Sequence, residues 1–403
     1  MRIKTIGLVT ISHLSSNPRL VKEARALLDS GYQVHIICSQ NLKFLSEFDI
    51  QIFRSLSGAK IHVINFETSN IKGIINRSLS SFRLKISSIL KIALPDMRWL
   101  EFSRMLPEMR RMLKSVKADL FIGHTIGALP AIAWAAKFHQ SKYAFDAEDF
   151  HRGESNEIFF QKKIENLENY FLPDSVYIST ASPLITQAYK QLYPNKTIFT
   201  INNVFPFDEK YRLGNVHHSI KIVWFSQTLG LNRGLQSFFK HLDHLNTLNF
   251  EFHLRGSHSD KTKEILLSLI DKKWHAQIHF YQQCDPISLQ KWLYNFDVGL
   301  ALEQNEPINR NICITNKLFQ YLNAGLAILA TNTAGQQWVM DQIPDTGKLI
   351  TQSDPKVREV LNQWAKNPES LTYAKKASLY AAKTKFNWNI EQTKLLRKIS
   401  DLK

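Results

Sequence analysis

The segment at 299–336 places the strongest constraint on the fold, because its sequence predicts a buried strand, a helix and a second buried strand in succession. Apolar runs at 298–302 and 327–331 predict the strands. Between them, Thr315 is placed to cap a helix, and Gly325 suits the position after that helix ends. Parallel strands that follow one another need such a crossover helix, so the segment predicts a βαβ unit of a parallel sheet.

The same alternation of strands and helices runs through most of the chain. A first series extends from a strand at 3–12 to a strand at 197–203, and a second series follows residues 206–219, which have no periodicity and predict a linker. A chain of 403 residues suits two domains. We therefore expect an α/β protein with parallel sheets in two domains, at 1–205 and 206–387.

The helix that begins after Thr315 offers an anion-binding end. Free N–H groups and the positive end of the helix dipole suit a diphosphate, and Lys317 in the first turn would add a full charge. Asn316 and Gln320 offer neutral hydrogen-bonding groups for sugar or ribose hydroxyls. The alternative is an ordinary layer of helix on sheet whose Lys and Gln are solvated, since helix N-termini are common.

Three further residues of the second half are candidates for the same ligand. Arg233 follows the strand at 220–226 and begins a helix, so its guanidinium is placed to pair with a diphosphate unless it is only solvated there. Glu303 ends the strand at 298–302 and either holds a sugar hydroxyl or caps the loop. Gly335 lies in the turn that opens the next helix.

Residues of the first half are selected by their position at strand ends. Ligands of open α/β sheets bind outside the carboxyl ends of the strands. His13 and Asn17 follow the first strand, where Asn17 also caps a helix that has Pro18 in its first position. His124 ends the fourth strand. We expect His13, Asn17 and His124 at a shared ligand site, while a purely structural His124 is the alternative.

Three carboxylates, Asp146, Glu148 and Asp149, lie within four residues at the end of the fifth strand. In a polar cleft they should repel one another, which would raise at least one pKa and supply a base for an acceptor hydroxyl. Acidic loop residues that cap the following helix are the alternative. With His124, Glu148 and Asp149 are the candidate catalytic residues.

The sequence TNKLFQYLNAGLAILATNTAGQ at 315–336 resembles the nucleotide-sugar segment of GT-B glycosyltransferases, in the large group typified by family 4. The openings at 12–34 and 226–234 are also similar to that family, more weakly. The resemblance implies two facing Rossmann-like domains, with the helix at 388–403 crossing back to the first. It also implies that His124 contacts the donor sugar near the reacting carbon and that His13 and Asn17 lie on the acceptor side. Two positions depart from the family: Gln320 replaces an acidic residue that usually holds the ribose, and Gln227 stands where an arginine is common.

The activity implied by the resemblance is transfer of a sugar from a nucleoside-diphosphate sugar to a saccharide or lipid-linked acceptor. The setting would be synthesis of cell-surface polysaccharide or lipopolysaccharide, with the anomeric configuration retained and without a cofactor. Two alternatives remain open. A GT-B sugar-nucleotide epimerase would share the fold and the diphosphate site, and a membrane-associated, non-catalytic subunit would have lost donor binding.

The net charge of +16 requires a partner or a surface. Basic residues are densest at 71–117, where they alternate with apolar ones, which suits a helix lying on an anionic membrane surface. The alternative is a solvated helix whose apolar side packs on a core. Nucleic acid is not expected, because no zinc spacing, RNP-like run or basic-aromatic repeat is present.

The remaining patterns bear on compartment and metal. Three cysteines without a C-x-x-C pair favour a reduced, cytosolic chain, and no signal peptide or spanning apolar run is predicted. We expect a cytoplasmic protein, peripheral on the inner face of the cytoplasmic membrane if 71–117 binds lipid. No Asp-x-Asp pair and no His/Cys cluster shows ligand spacing, so no metal is expected.

Overall fold

The structure of the protein, a computed structural model, describes residues 3–90, 99–209, 211, 213–214, 217–231, 233–242, 245–351 and 356–402, with the backbone alone at 87–90. The chain forms two compact units. The first comprises residues 1–201 and 392–403, and the second comprises residues 202–391. The sequence-based boundaries stand at 205 and 388.

In the described part of the first unit, seven parallel strands form one sheet in the order β3-β2-β1-β4-β5-β6-β7. The strands are β1 Thr5–Thr10, β2 Gln33–Gln40, β3 Lys60–Asn65, β4 Leu120–His124, β5 Lys142–Ala147, β6 Ile178–Thr180 and β7 Ile198–Thr200. The helices are α1 Pro18–Asp29, α2 Lys43–Ser55, α3 Ile71–Leu90, α4 Leu106–Leu113, α5 Leu129–His139, α6 Ile158–Phe171 and α7 Pro183–Leu192. The central strands β1 and β4 are almost wholly buried, as expected of a parallel sheet covered on both faces.

In the described part of the second unit, six parallel strands form one sheet in the order β10-β9-β8-β11-β12-β13. The strands are β8 Ile220–Thr228, β9 Phe250–Ser257, β10 Ile278–Tyr281, β11 Val298–Ala301, β12 Ala327–Thr331 and β13 Gly347–Ile350. The helices are α8 Leu235–Phe239, α9 Asp260–Ser268, α10 Pro286–Leu293, α11 Ile308–Ile312, α12 Asn316–Asn323, α13 Ala334–Met340, α14 Lys356–Lys366 and α15 Pro368–Thr384. The last helix, α16 Trp388–Ser400, begins in the second unit and ends in the first.

Local signals account for the helix ends that the sequence predicts well. Asn17 Oδ1 accepts a hydrogen bond from the backbone N–H of Leu20 at 3.0 Å, and Pro18 occupies the first position of α1. After α1, Gly31 adopts a positive φ of 83°, which glycine tolerates without strain. The predicted cap and the predicted end of α1 are both confirmed, and β12 has the bounds that the apolar run predicts.

Four elements differ from the sequence prediction. Helix α2 is missed because Leu42 at its N-cap position offers no capping side chain. Helix α11 forms in a segment where the sequence predicts no helix, and the four-residue strand β13 is too short to show a pattern. Helix α8 begins at Leu235 rather than at Arg233, because Gly234, with φ +87°, stands outside the helix.

Helix α3 turns an apolar stripe to solvent. The exposed side chains follow helical spacing along one face: Ile71, Ile74, Ile75, Leu79 and Phe82. The alternative in which this side packs on a core is therefore wrong for these residues. The rest of the predicted basic insert includes 91–98, which lies outside the described residues. No helix in the described ranges combines the length and apolarity needed to span a membrane.

Candidate functional site

The carboxyl ends of four neighbouring strands of the second unit lie at one edge of its sheet. Strands β8, β11, β12 and β13 are adjacent and parallel, so the loops that follow them meet at that edge. The segments that follow β8 and β11 carry Arg233 and Glu303, and Thr331 is the last residue of β12. Lys317 lies in the first turn of α12, beyond Glu303. This is the edge at which ligands of open α/β sheets bind.

Gly234 fixes the loop after β8 against the end of β11. It has φ +87°, and a Cβ at this position would come within 2.7 Å of Leu302 O and 2.6 Å of Leu302 Cβ. Glycine is therefore required both by the backbone conformation and by the close approach. Because Arg233 precedes Gly234 and Glu303 follows Leu302, this packing places the two charged residues on loops that touch.

Arg233 is an exposed cation at this edge. Its guanidinium Nη1 donates a hydrogen bond to Ser226 Oγ at 2.7 Å, which orients the side chain back over the end of β8. Gln227, the other candidate on this loop, is also exposed. Both can therefore be reached by a ligand.

Glu303 holds the start of α12 rather than standing free. Lys317 Nζ donates to Glu303 Oε1, and Thr315 Oγ1 donates to the same oxygen at 3.2 Å. Burial acts to raise the pKa of Glu303, but the charge and hydrogen bonds of Lys317 and the hydroxyl of Thr315 outweigh it, so the pKa is lowered. The carboxylate is therefore ionised and compensates much of the lysine charge.

The predicted side-chain cap by Thr315 is wrong. Thr315 occupies the N-cap position of α12 with extended dihedrals, but its hydroxyl bonds Glu303 and makes no capping hydrogen bond. The backbone N–H groups at the start of α12 are therefore not satisfied by that side chain. They stay available to an anion.

A cavity of about 380 Å³ opens at the ends of β11, β12 and β13. All but one of its lining residues carry a carboxylate, amide or hydroxyl group. The lining residues are Glu303, Gln304, Asn305, Glu306, Thr331, Asn332, Ile350 and Thr351. Groups of this kind exchange hydrogen bonds with hydroxyls, and two carboxylates disfavour an anion. The cavity suits the hydroxyl-rich part of a ligand better than its phosphates.

The other three candidates of this half have distinct environments. Asn316 is half-buried at the first position of α12, whereas Gln320 is buried within the helix at 6% exposure. A Cβ at Gly335 would come within 2.2 Å of Cys313 O, so Gly335 allows α13 to pack on the end of α11. The geometry thus gives Gly335 a packing role.

In the first unit, a buried charge network lies at the carboxyl ends of β4 and β5. His124 ends β4 and pairs in register with Asp146 on β5. His124 Nδ1 lies 3.1 Å from Asp146 Oδ2 and 3.3 Å from Glu148 Oε1, and Nε2 lies 3.3 Å from Glu23 Oε2. All but Glu148 are fully buried, and Glu148 is 20% exposed.

The network makes His124 a buried imidazolium. Burial acts to lower the pKa of His124, but the charge of Glu23 and hydrogen bonds to Asp146 and Glu148 raise it well above 6.5. For Glu23, burial and the charge of Asp146 raise the pKa, although His124 and Arg19 oppose this. Neither Glu23 oxygen has an aligned hydrogen bond among the described residues.

Asp146, one of the three carboxylates at the end of β5, has a lowered rather than a raised pKa. Arg19 Nη2 donates to Asp146 Oδ1 at 2.8 Å, and Ser179 Oγ donates to the same oxygen at 2.7 Å. Burial acts to raise the pKa of Asp146, but the charge of Arg19 and the bond from His124 hold it well below its usual value of 3.8. Repulsion within the segment is therefore outweighed by buried cations.

Arg19 and Glu23 are the residues of this network that sequence reasoning missed. They lie one turn apart on α1, on the same buried stripe as Leu20 and Leu27. Charged residues on the apolar face of an amphipathic helix are themselves a signal, since buried charges are paired. That signal was present in the sequence.

The remaining candidates of the first unit divide between the network and the core. Asn17 Nδ2 donates to Glu148 Oε1 at 2.7 Å, so Asn17 links the cap of α1 to the network. Asp149 is half-buried beside it. His13 is buried, and its ring nitrogens contact Asp49 Oδ2 at 2.8 Å and the backbone N–H of residue 41 at 2.9 Å. His13 therefore joins the turn after β1 to α2 and is not exposed to a ligand.

Comparisons with known proteins relate this architecture to solved structures. No protein-family model matches the chain, and no curated protein matches it. Anabaena HepE in complex with UDP and glucose has a TM-score of 0.71 at 13% identity, over 99% of this chain and 100% of that one. Sucrose-phosphate synthase from Thermosynechococcus elongatus has a TM-score of 0.68 at 12% identity, over 98% of each chain.

A third similar structure is a Listeria monocytogenes protein assigned by name to UDP-N-acetylglucosamine 2-epimerases. Its TM-score is 0.62 at 11% identity, over 99% of this chain and 96% of that one. Identities this low relate folds rather than activities. The two Rossmann-like parallel sheets and these matches over whole chains show that the chain has the GT-B fold of glycosyltransferases.

Proposed function

We propose that the protein is a glycosyltransferase that takes its sugar from a nucleoside-diphosphate donor bound by the second unit. The observation that carries this proposal is the packing of Gly234 on Leu302, which joins the Arg233 loop to the Glu303–Lys317 pair. A cation, a helix start and a hydroxyl-binding cavity thus share one sheet edge. Together they suit two parts of a nucleotide sugar, the diphosphate and the hydroxyl groups.

The diphosphate is the part that the chain stabilises most directly. Arg233 supplies an exposed guanidinium, which can bind two phosphate oxygens at once. The start of α12 adds backbone N–H groups and the positive end of its dipole. Lys317 contributes a positive charge to the diphosphate site, and its contact with Glu303 sets the position of that charge. These groups neutralise the charge that develops on the leaving diphosphate, which lowers the barrier to transfer.

The hydroxyl groups of the donor fit the cavity beyond Glu303. Glu303 and Glu306 accept hydrogen bonds from sugar or ribose hydroxyls, and Asn305 and Asn332 can donate or accept. This assignment replaces the expected ribose contact of Gln320, whose side chain is buried in α12. An acidic residue on a neighbouring loop thereby accepts the hydrogen bonds of the ribose that Gln320 does not.

On the first unit, we assign Glu148 to the acceptor and His124 to a positioning role. Glu148 is the partly exposed carboxylate of the network, while His124 has no exposed surface and holds Glu148 from within. Asn17 fixes the same oxygen of Glu148. A carboxylate held in this way can orient an acceptor hydroxyl, and Asp149 lies next to it in the chain. Retention of the anomeric configuration is part of the proposal and is supported by the sequence resemblance.

The acceptor that we propose is a saccharide or lipid-linked saccharide at an anionic membrane surface. Support comes from α3, whose exposed apolar stripe is accompanied by the exposed Lys72 and Lys85. Such a face can insert its apolar side chains among lipids while its lysines contact anionic headgroups. A lipid-linked acceptor and synthesis of cell-surface polysaccharide would follow from that location.

A nucleotide screen followed by product analysis tests the activity. HepE structures hold UDP or UDP-glucose, so uridine nucleotides are the first choice for the donor. The screen uses UDP, GDP, ADP, TDP and CMP. We expect one of these nucleotides to raise the melting temperature, because a ligand at 100 times its Kd adds about 2.7 kcal/mol to the free energy of unfolding. The matching sugar nucleotide should then give a glycosylated product with added acceptor. Stable protein that binds none of them would instead favour a non-catalytic subunit.

A sugar-nucleotide epimerase is the second candidate, favoured by the Listeria structure. An epimerase would change its sugar nucleotide without any acceptor. Incubation of the bound sugar nucleotide alone, followed by chromatography of the sugar, separates the two activities. Inversion at a sugar carbon in the absence of acceptor would contradict the transferase proposal.

A further inference from the structure

A second cluster of chemistry-bearing side chains lies on the edge of the second unit's sheet, away from the carboxyl ends of β11 to β13. Glu251 and His253 alternate with the core residues of β9, so both project from the same face. His279 stands directly opposite His253 on the edge strand β10. Two imidazoles and one carboxylate are thereby held side by side by strand register.

The three ligand atoms have the spacing of a metal site. Glu251 Oε2 lies 3.4 Å from His253 Nε2 and 4.0 Å from His279 Nε2. One atom from each residue can be chosen so that all lie within 4.8 Å of one another. A tetrahedral zinc ion with bonds of about 2.0–2.1 Å holds its ligand atoms roughly 3.3 Å apart, so the side chains must rotate to bind one ion.

His253 provides an independent indication of a ligand. It is 6% exposed, and its Nε2 has no hydrogen-bond partner among the described residues although the atom is buried. That nitrogen faces the carboxylate of Glu251 without the alignment of a hydrogen bond. A buried polar atom without a partner is costly, and a metal ion would satisfy it.

The other ring nitrogen of His253, Nδ1, has a hydrogen-bond partner of the kind found behind metal-bound histidines. Nδ1 lies 3.0 Å from the hydroxyl oxygen of Tyr281 on β10. If Nδ1–H donates to that oxygen, the lone pair of Nε2 points into the cluster, which is the usual arrangement behind a metal-bound histidine. His279 stacks on this ring, with centroids 4.7 Å apart, so His279 has to turn out of the stack before both Nε2 lone pairs point at one ion. The 38% exposure of its side chain leaves room for that rotation.

Access to the cluster comes from the other two residues. The side chains of His279 and Glu251 are 38% and 28% exposed, so an ion can enter from solvent. The other such group among the described residues, Glu23, His124 and Asp146, is fully buried, and Arg19 already pairs with Asp146. An additional cation is disfavoured there.

We propose that Glu251, His253 and His279 bind a Zn²⁺ ion, with a fourth position open to water. Two imidazoles and one carboxylate are a common zinc ligand set, and the open position distinguishes it from a closed structural site. The ion would fasten the edge strand β10 to β9. This site is separate from the donor edge, so it does not depend on the proposed transferase activity.

Metal content of the full-length protein, with any tag removed, tests the proposal. After incubation with ZnCl₂ and dialysis, we expect about one Zn²⁺ per chain and a raised melting temperature. The variants Glu251→Gln and His279→Ala should lose both, while His62→Ala should keep them. His62 is a matched control because it also stacks on a second histidine, His35, but no carboxylate joins that pair within the clusters that could hold an ion.

Substitution with Co²⁺ gives a second readout that does not require a folding comparison. Visible absorption of low-coordinate Co²⁺ should appear in the native protein and in His62→Ala, and it should be absent from Glu251→Gln, whose side chain is nearly isosteric. Failure of the native protein to retain zinc would overturn the proposal. So would retention in both cluster variants, or loss in His62→Ala as well.

Discussion

Gly234 lies against the main chain of Leu302, close enough that a Cβ on the glycine would come within 2.7 Å of the leucine carbonyl oxygen. This contact joins the loop after β8 to the end of β11. Because Arg233 is next to Gly234 and Glu303 is next to Leu302, the contact sets the position of Arg233 relative to Glu303. The donor edge is therefore formed by a backbone approach that tolerates only glycine.

Gly234→Ala is predicted to weaken nucleotide binding and stability together. The positive φ costs an alanine about 1–2 kcal/mol, and the displaced loop moves Arg233. Urea unfolding and nucleotide titration measure the two effects. Gly230→Ala on the same loop is the control, since a Cβ there meets nothing within 4 Å. Equal behaviour of the two variants would contradict the role given to this contact.

Asp146→Asn is predicted to destabilise the protein by about 3–5 kcal/mol, because the buried Arg19 loses the carboxylate that it contacts most closely. Denaturant unfolding measures the loss. Glu209→Gln removes the corresponding partner of Lys383 in an exposed pair, and it should cost under about 1 kcal/mol. A loss for Asp146→Asn no larger than that of the control would show that the buried pair is not structural.

The pH dependence of stability should carry the signature of His124. Its pKa is raised in the folded state, so its contribution is complete below about 6.5 and is lost as pH rises through the folded pKa. The stability difference between native protein and His124→Gln should therefore shrink from pH 6 towards alkaline pH. Unfolding curves across that range test this, and a difference that grows with pH would contradict a buried imidazolium.

The exposed face of α3 should bind anionic vesicles. Co-sedimentation with phosphatidylserine-containing vesicles is expected at low salt and should weaken at high salt, because surface charge is screened. The double variant Ile75→Ser/Phe82→Ser should lose binding. Leu248→Ser, at a 76% exposed leucine of the second unit, should retain it. Equal partitioning into neutral and anionic vesicles would refute the electrostatic part of the proposal.

Much of the fold could be predicted from the sequence because its signals are local. The cap at Asn17, the glycine after α1 and the apolar run of β12 each depend on a few neighbouring residues. Helix α2 lacked such a signal at Leu42. Local patterns therefore predicted the order of strands and helices better than the ends of the short ones.

The candidate sites were harder to predict because their partners are distant in sequence. The sequence around Asp146 does not show that Arg19 neutralises its charge. From sequence alone, the nearby carboxylates are therefore expected to repel one another. Likewise, Glu251 and His253 are two residues apart on one strand, but His279 lies beside them only because of the register of β9 and β10. Side-chain burial decided the other cases, as for Gln320 and His13.

Calorimetric titration of the native protein and Arg233→Ala with UDP tests the central claim most directly. Arg233 is exposed, so its removal should leave the fold intact while binding weakens roughly ten- to hundredfold, the usual worth of a charged hydrogen bond. Arg25→Ala, at an exposed arginine of the first unit, should bind as the native protein does. If UDP fails, the same comparison is made with the diphosphate that the nucleotide screen selects. Native-like binding by Arg233→Ala, or no binding of any nucleoside diphosphate by the native protein, would contradict a donor site at this edge.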